Sequence, residues 1–483
     1  MRISGIALNR FAWRPPKSRA SAAPKVHARR LSDYAILAAL LSFVYVSPSI
    51  LQLLHWHYDG AGGGIQNIHP GTYLLFGTLF GLCLVRHDYF HNIAMRFLHD
   101  PGLLGFAIMS LATALYAIVV QHCSIMPFVE TFGVTIVVFM MFREAPAWVG
   151  QAFRYGVDLF MVVNIAIIMA EYFLKRNLIP VFHYSPVAVQ AGLPAGFDRP
   201  TGMFGLPLLA AGFLSVYAIA NVIRQLKFHD ASHVRAFVGG ASLLAAALTG
   251  SRTAVITALV VILLLFLFAS GRMVFTGHAR KAEHRALFWW GVVGLVAVPL
   301  ALHFGLFDLL VSRFQNDHGS SSTRDIALQI VMSMSPYDML LGSGPDTIWV
   351  QQQIYGLIAI EISWVNFIIV CGLLFTVPLF VSYCAFLFGS LRRCCHMAYA
   401  PALFFLVVHA SSIGLWAKST SFAAEIAILL AYTGRTAVTS FRPMRRNILP
   451  YSFHRRGTGS YATTLTARFG KPGAAMRGFR EKA

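Results

Sequence analysis

The chain has 483 residues, of which 57% are hydrophobic and 12% are charged, and its formal net charge is +20. So few charged residues exclude a soluble globular protein, because they could not cover the surface of a water-exposed fold of this size. The apolar residues instead form runs of roughly 20 residues, which fit helices that cross a hydrocarbon core about 30 Å thick. The runs lack the alternation of barrel strands, so the sequence predicts a polytopic helical membrane protein.

The apolar runs predict an all-α bundle of about twelve transmembrane helices. The runs lie at residues 33–54, 70–85, 103–121, 124–142, 156–174, 202–223, 236–250, 253–270, 287–307, 362–387, 399–417 and 420–434. A membrane domain of residues 33–434 is therefore expected between two basic tails, residues 1–32 and 435–483. The first run precedes no small-residue cleavage site, so we expect an uncleaved anchor and not a signal peptide.

The basic residues between the runs predict the topology. Both tails are rich in Lys and Arg, so both termini are expected to be cytoplasmic, which requires an even number of spans. The loops that this topology places inside carry Arg86, Arg96, Arg143, Arg154, Arg224, Lys227, Arg235, Arg272, Arg280, Lys281, Arg285, Arg392 and Arg393. We therefore expect a multi-pass protein of the bacterial inner membrane, with residues 308–361 as one large periplasmic loop. Its positive charge is expected to face anionic membrane lipids and not nucleic acid.

No metal or other cofactor is expected from the sequence. The histidines form no metal-binding triad. The six cysteines have the spacing of neither a metal site nor a disulfide framework. They are Cys83, Cys123, Cys371, Cys384, Cys394 and Cys395.

Several basic residues lie on the predicted outer side, against the positive-inside tendency. They are Lys175, Arg176, Arg199, Arg252, Arg313, Arg324 and Lys418. A guanidinium group binds phosphate or carboxylate oxygens in pairs, so the arginines together favour a pyrophosphate site. The alternative is that each pairs with a nearby acid such as Asp198, Asp317 or Asp325, or lies against lipid headgroups.

Polar residues within the spans point to the same side of the membrane. Glu130, Glu171, Glu425, His303 and His409 all fall toward the predicted outer ends of their helices. Because ionisable groups are costly inside a membrane, a polar cavity open to the outside is the economical explanation. Asp158, near the inner boundary, is expected to be a solvated helix end.

The loop of residues 308–361 is predicted to contain an amphipathic helix. The run from Ser322 to Asp325 resembles a helix start, with Arg324 in the first turn. Ile326, Ile330, Val331 and Met334 then recur on one face until Pro336. Residues 342–345 are expected to form a turn. Glu361 closes the loop, either as a partly buried general base or as an acid that favours a helix N-terminus.

Four segments, in this order, resemble the bacterial O-antigen polymerase and O-antigen ligase superfamily. They are Arg199-Pro-Thr-Gly-Met-Phe-Gly-Leu-Pro207, Leu248-Thr-Gly-Ser-Arg-Thr-Ala254, Ser320-Ser-Ser-Thr-Arg324 and Leu341-Gly-Ser-Gly-Pro345. The resemblance spans most of residues 100–434, and the second segment is the most specific. It implies transfer of a glycan from undecaprenyl pyrophosphate to a hydroxyl acceptor at the periplasmic face, without nucleotide or metal. Arg199, Arg252 and Arg324 match the outer-face arginines of that superfamily.

The chain also departs from the pattern of the ligases. They typically carry a His, then Asn or a similar residue, with a Gly eleven positions after the His. Here Gly372 matches the glycine, but Glu361 and Ile362 stand at the first two positions. Leu206 stands where the superfamily often has a His before the Pro of the first segment. The closer likeness is therefore to exopolysaccharide repeat-unit polymerases.

The sequence thus predicts a metal-independent membrane glycosyltransferase that polymerises O-antigen or exopolysaccharide. Arg252 and Arg324, with Arg199, would stabilise the departing pyrophosphate, and Glu361 would be the general base. Arg313 and His409 are further candidates for binding the lipid-linked oligosaccharide. A chain-length regulator and a flippase would be its protein partners. The alternatives are an O-antigen ligase that uses lipid A-core as acceptor, a lipid-linked sugar flippase or transporter, and a structural membrane subunit.

Overall fold

The computed structural model describes residues 22–56, 58, 64–181, 199–228, 232–276, 281–305, 311, 320–357, 360–411 and 413–434. Over these residues the chain is helical, with a single isolated bridge between Cys395 and Gly434, which confirms the predicted all-α class. The first helix begins at Ala22, within the predicted N-terminal tail, so part of that tail is helical. The predicted C-terminal tail lies outside the described residues.

The helices are numbered here in chain order. They are α1 (Ala22–Tyr45), α2 (Pro48–Leu53), α3 (Pro70–Val85), α4 (His87–Leu98), α5 (Pro101–Val119), α6 (Met126–Glu144), α7 (Ala147–Leu174), α8 (Pro207–Lys227), α9 (His233–Leu248), α10 (Arg252–Thr276), α11 (Lys281–His303), α12 (Ser320–Ser333), α13 (Pro336–Leu341), α14 (Pro345–Tyr355), α15 (Ser363–Cys394), α16 (Tyr399–Ala410) and α17 (Ser421–Thr433). Both α6 and α15 contain a π-helical turn, at Val129–Gly133 and Phe386–Leu391.

Each predicted apolar run contains a helix that covers most of its described residues. In the described part of the chain, 7 helices are long and apolar enough to cross a membrane, namely α5, α6, α7, α8, α10, α11 and α15. The remaining runs form the shorter apolar helices α3, α9, α16 and α17 and the apolar part of α1, Leu31–Tyr45. Seven such helices are typical of a multi-pass membrane protein.

The helices divide into a buried centre and an apolar outer surface. α8 is buried along nearly its whole length and packs against α9, α10 and α17. α10 in contrast exposes large apolar side chains on its outer side, including Leu259, Leu263, Leu267 and Phe268. A surface of this kind is suited to lipid tails and not to water.

Asp100 marks one end of the bundle. Its carboxylate accepts hydrogen bonds from Arg143 Nη1 at 3.0 Å and from Ser390 Oγ at 2.5 Å. α5 starts beside Asp100 and rises about 28 Å over its length, at about 1.5 Å per residue. Just beyond its other end, Gln121 Nε2 donates to the carbonyl oxygen of Leu341 at 3.3 Å. The segment that contains α12, α13 and α14 therefore reaches the end opposite Asp100.

α12 confirms the predicted amphipathic helix, although it begins two residues earlier, at Ser320. Ala327, Ile330 and Val331 are buried on one face. They belong to a hydrophobic cluster with Val365 and Ile369 of α15. The apolar face of α12 thus packs on the membrane domain, as its periodicity predicts.

Two glycines allow the predicted turn at residues 342–345 to pack directly on α15. Gly342 has φ 82° and Gly372, inside α15, has φ 72°, so both occupy a backbone region that side chains disfavour. A Cβ on Gly342 would collide with the carbonyl oxygen of Val370, and one on Gly372 would collide with that of Leu340. Ser343 N–H donates to the carbonyl of Ile369 at 2.7 Å and closes the contact.

We expect Gly342→Ala and Gly372→Ala each to lower the free energy of unfolding by roughly 3 kcal/mol or more, because backbone strain and a steric clash add. The measurement is thermal unfolding of the purified protein in detergent. Gly356→Ala is the matched control: Gly356 also has a positive φ of 61°, but its added Cβ would meet no atom within 4 Å. A loss at Gly372 no larger than the control's would show that backbone conformation alone matters there.

Candidate functional site

One cavity of about 310 Å³ collects the predicted site residues. Arg199, Arg252, Arg324, Glu361 and His409 all line it. They come from the segment before α8, the start of α10, α12, the segment before α15, and α16. Of the predicted residues, Arg313 lies outside the described part of the chain.

The cavity lies at the end of the bundle opposite Asp100. Glu361 precedes α15, and the far end of that helix carries Ser390, which contacts Asp100. α10 likewise begins at the cavity with Arg252. Toward its far end, Arg272 forms an ion pair with Glu283. Both helices therefore connect the cavity to the opposite end.

Glu171 of α7 holds the segment that carries Arg199. Its Oε2 accepts hydrogen bonds from the N–H groups of Thr201 and Gly202, each at 2.8 Å, and its Oε1 accepts one from Leu178 at 2.9 Å. Glu171 is buried, so these bonds satisfy a carboxylate that would otherwise be costly. This carboxylate therefore fixes a loop and does not line the cavity, contrary to the prediction.

Asn164, two turns earlier on α7, continues the same contact. Its Oδ1 accepts from Met203 N–H at 2.7 Å. Gly202 has φ 55°, and a Cβ there would strike this amide and also lie 2.8 Å from Ile168. The first of the four segments therefore requires glycine so that its backbone can approach α7 and position Arg199.

The hairpin between α9 and α10 presents Arg252. Gly250 has φ 69° and its N–H donates to the carbonyl of Ala247 at 3.0 Å, which ends α9. The backbone carbonyl of Ser251 accepts a hydrogen bond from Val255 N–H at 3.2 Å, and α10 begins at the next residue. Arg252 thus lies in the first turn of a helix, where the macrodipole disfavours a cation. A bound anion would offset that disadvantage.

Three helices begin at the cavity, since Pro207 of α8, Arg252 of α10 and Ser421 of α17 all line it. The first N–H groups of a helix have no partner within the helix, and the N-terminal end carries partial positive charge. Together with three arginines, these helix starts give the cavity the electrostatics of an anion site.

Arg324 and Glu361 form a loose pair at the rim of the cavity. Nε of Arg324 lies 3.8 Å from Oε2 of Glu361, and the two side chains are 35% and 36% exposed. An ion pair with this exposure contributes little stability, because water screens it. Both groups are therefore accessible to a ligand.

His409 and Glu425 form a second, buried pair on the cavity wall, each 5% exposed. Nε2 of His409 lies 3.7 Å from Oε2 of Glu425, and its Nδ1 lies 2.8 Å from the hydroxyl of Tyr383. The sequence singled out both residues as polar groups near the outer ends of their helices. It did not pair them, because they lie on different helices and no spacing relates them.

Other polar residues named from the sequence lie outside this cavity. Glu130 is fully buried and accepts from the hydroxyl of Tyr58 and from His69 N–H, each at 2.5 Å. Burial lowers the pKa of His69 to about 4, so its ring is neutral and Nδ1 accepts from Gly71 N–H at 3.0 Å. His303 is exposed at the end of α11. The prediction of one cavity for all these groups is therefore wrong.

Asp158 is not a solvated helix end. α7 begins at Ala147, earlier than the predicted run, so Asp158 lies well inside the helix. It accepts a hydrogen bond from the hydroxyl of Tyr217 at 2.8 Å and another from that of Tyr432. Its carboxylate therefore joins α7 to the central helices α8 and α17.

We expect Glu171→Gln to destabilise the protein, because the amide nitrogen cannot accept the backbone N–H groups that one carboxylate oxygen now accepts. Each N–H left without an acceptor costs about 1–3 kcal/mol. Hydrogen exchange of a peptide containing Thr201 and Gly202 should become faster, and the melting temperature should fall. Glu361→Gln, at a half-exposed site, is the control and should change neither. Unchanged exchange in Glu171→Gln would contradict this role.

Among the described residues, no three His, Cys, Asp or Glu side chains are grouped so that they could hold a metal ion. Neither a scan of protein-family models nor a search of curated proteins finds a match to this chain. The residues of the site offer guanidinium groups for an anion and, in the same cavity, a buried carboxylate and imidazole.

Proposed function

We propose that this chain is an inner-membrane polysaccharide polymerase with about twelve membrane-crossing helices and cytoplasmic termini. It would transfer a growing O-antigen or exopolysaccharide chain from undecaprenyl pyrophosphate to a lipid-linked repeat unit at the periplasmic face. The observation that carries the proposal is the convergence of Arg199, Arg252 and Arg324 on one cavity at one end of an apolar bundle. These residues come from three of the four segments on which the resemblance to the O-antigen polymerase and ligase superfamily rests.

The arginines suit a pyrophosphate leaving group. A guanidinium group can donate two parallel hydrogen bonds to phosphate oxygens and stays charged. As the bond between the sugar and the pyrophosphate breaks, negative charge grows on the leaving group, and cations placed beforehand stabilise that charge. The helix starts at Pro207, Arg252 and Ser421 add partial positive charge to the same cavity.

The apolar surface of the bundle suits the two prenyl tails, which would approach from the lipid. The fourth segment, around Gly342, does not contact the substrate in this proposal. It holds α12 against α15, and α12 carries Arg324. Glu361, the base expected from the sequence, would also hold Arg324, because its Oε2 lies 3.8 Å from that guanidinium.

An O-antigen ligase would use the same donor and the same arginines, so the acceptor separates the two functions. The assay presents purified enzyme in nanodiscs with lipid-linked repeat units alone or with lipid A-core added. Lengthened lipid-linked products without lipid A-core support a polymerase. Product attached only to lipid A-core would replace this proposal with the ligase.

We expect Arg252→Lys and Arg324→Lys each to reduce polymer formation by roughly tenfold or more while the protein still accumulates in the membrane, because lysine cannot reproduce the paired hydrogen bonds. Product length on a gel and the rate of donor consumption are the readouts. Arg176→Lys makes the same chemical change at an exposed outer residue that does not line the cavity. Wild-type rates in both cavity variants would remove the pyrophosphate role.

We expect the cavity end of the bundle to face the periplasm. In a variant without the native cysteines, Gln353→Cys should react with a membrane-impermeant maleimide in cells whose outer membrane alone is permeable. His91→Cys, at the other end, should react only after the inner membrane is opened. The reverse pattern would contradict the topology and the periplasmic site together.

A further inference from the structure

We propose that Glu425 is the general base that takes the proton of the acceptor hydroxyl, with His409 as its positioning residue. The inference rests on the proposed polymerase function and assigns the acceptor subsite within it. It places the hydroxyl of the incoming sugar against the buried pair on α16 and α17, on the wall of the cavity that also contains the arginines.

The first observation is that one carboxylate oxygen of Glu425 has no hydrogen-bond partner among the described residues. The residue is 5% exposed, and its Oε2 is buried without a hydrogen-bond donor. A buried carboxylate oxygen without a donor is costly, so it requires an explanation such as a bound ligand. His409 Nε2 is the nearby cationic or donor group, but at 3.7 Å it is beyond hydrogen-bond distance. A hydroxyl oxygen entering from the cavity can lie about 2.8 Å from both atoms and complete the pair.

The second observation is that His409 is held with Nε2 toward Glu425. Its Nδ1 meets the hydroxyl of buried Tyr383 at 2.8 Å. Phe405 stacks on the ring with a centroid distance of 5.4 Å, and Phe422 lies edge-on at 5.1 Å. When Tyr383 donates to Nδ1, the neutral ring carries its hydrogen on Nε2, where it can steady the carboxylate or the bound hydroxyl.

The third observation is that the cavity leaves space for this carboxylate. A Cβ on Gly212 of α8 would lie only 3.0 Å from Oε1 of Glu425. A larger residue at position 212 would therefore crowd the carboxylate. Both Gly212 and Glu425 line the cavity.

Glu361, in contrast, faces Arg324 and solvent. If Glu361 took the proton, it would lose its charge and with it the ion pair to Arg324. Arg324 would then lose the contact that positions it while negative charge grows on the leaving pyrophosphate. Proton transfer to Glu425 leaves that pair intact, which is why the geometry favours the buried carboxylate.

The step balances without any further reactant. The acceptor oxygen forms a bond to the anomeric carbon of the donor glycan as its proton passes to Oε2 of Glu425. The bond from that carbon to the pyrophosphate oxygen breaks, and its electron pair leaves with undecaprenyl pyrophosphate. Glu425 is then neutral and releases its proton to solvent before the next cycle.

The experiment compares Glu425→Gln with Glu361→Gln in purified enzyme with lipid-linked repeat units. We expect Glu425→Gln to reduce kcat about a hundredfold or more, as for a lost general base, while binding of undecaprenyl pyrophosphate is unchanged. Glu361→Gln, which weakens the contact that holds Arg324, should reduce kcat much less than Glu425→Gln does. His409→Gln should give an intermediate loss in kcat with little change in KM. Glu283→Gln, which removes a buried carboxylate at the opposite end, is the matched control and should keep the wild-type rate per folded molecule.

Each outcome decides the assignment. A Glu425→Gln rate within about threefold of wild type, or a hundredfold loss confined to Glu361→Gln, overturns it and leaves the polymerase intact. If Glu425→Gln does not accumulate, Glu425→Asp keeps the charge but withdraws the oxygen by one methylene, and it should lose at least about tenfold. A normal rate in that variant also overturns the assignment. If the wild-type enzyme does not lengthen the lipid-linked product, the proposed function is wrong, and the assignment of the base fails with it.

Discussion

The exclusion of unpaired charge from the membrane interior is the constraint on which the arrangement of this chain depends. A buried carboxylate must find donors, and most of those described here do: Asp100 binds Arg143 and Ser390 at one end, and Glu171 binds the backbone of the loop that carries Arg199. Such bonds serve as structural joints between helices, because leaving them unmade would cost several kcal/mol. Oε2 of Glu425 has no hydrogen-bond partner, and of the three described glutamates with such a buried oxygen, Glu144, Glu283 and Glu425, it is Glu425 that lines the cavity.

The joints also explain how residues distant in sequence meet at one cavity. α7 fixes the segment before α8 through Glu171, and the contact between Gly342 and Gly372 fixes the segment of α12 to α14 on α15. Neither contact contributes a group to the chemistry. Each sets the position of an arginine, so a small backbone shift at a glycine would move a cation by a distance that matters for charge stabilisation.

The cavity contains two kinds of chemical group. Its arginines and helix starts supply positive charge suited to a leaving pyrophosphate, whereas Glu425 and His409 form a buried pair suited to a hydroxyl. Glycosyl transfer needs both at once, since the leaving group gains negative charge while the acceptor loses a proton. Glu361 forms a loose pair with Arg324, whereas Glu425 is paired with His409.

The all-helical class, the apolar runs and the amphipathic helix of Ile330 and Val331 could be predicted from the sequence, which also named three arginines that line one cavity. These properties follow from local composition and periodicity, which one stretch of chain reveals. Which acids join helices and which face the cavity depends on how the helices pack against one another. Glu130, Glu171 and Glu425 look alike in sequence, as acids near the ends of apolar runs. All three are buried, and their neighbours come from other parts of the chain. A carboxylate's role depends on the donors that packing brings to it, and no spacing along the chain encodes those donors.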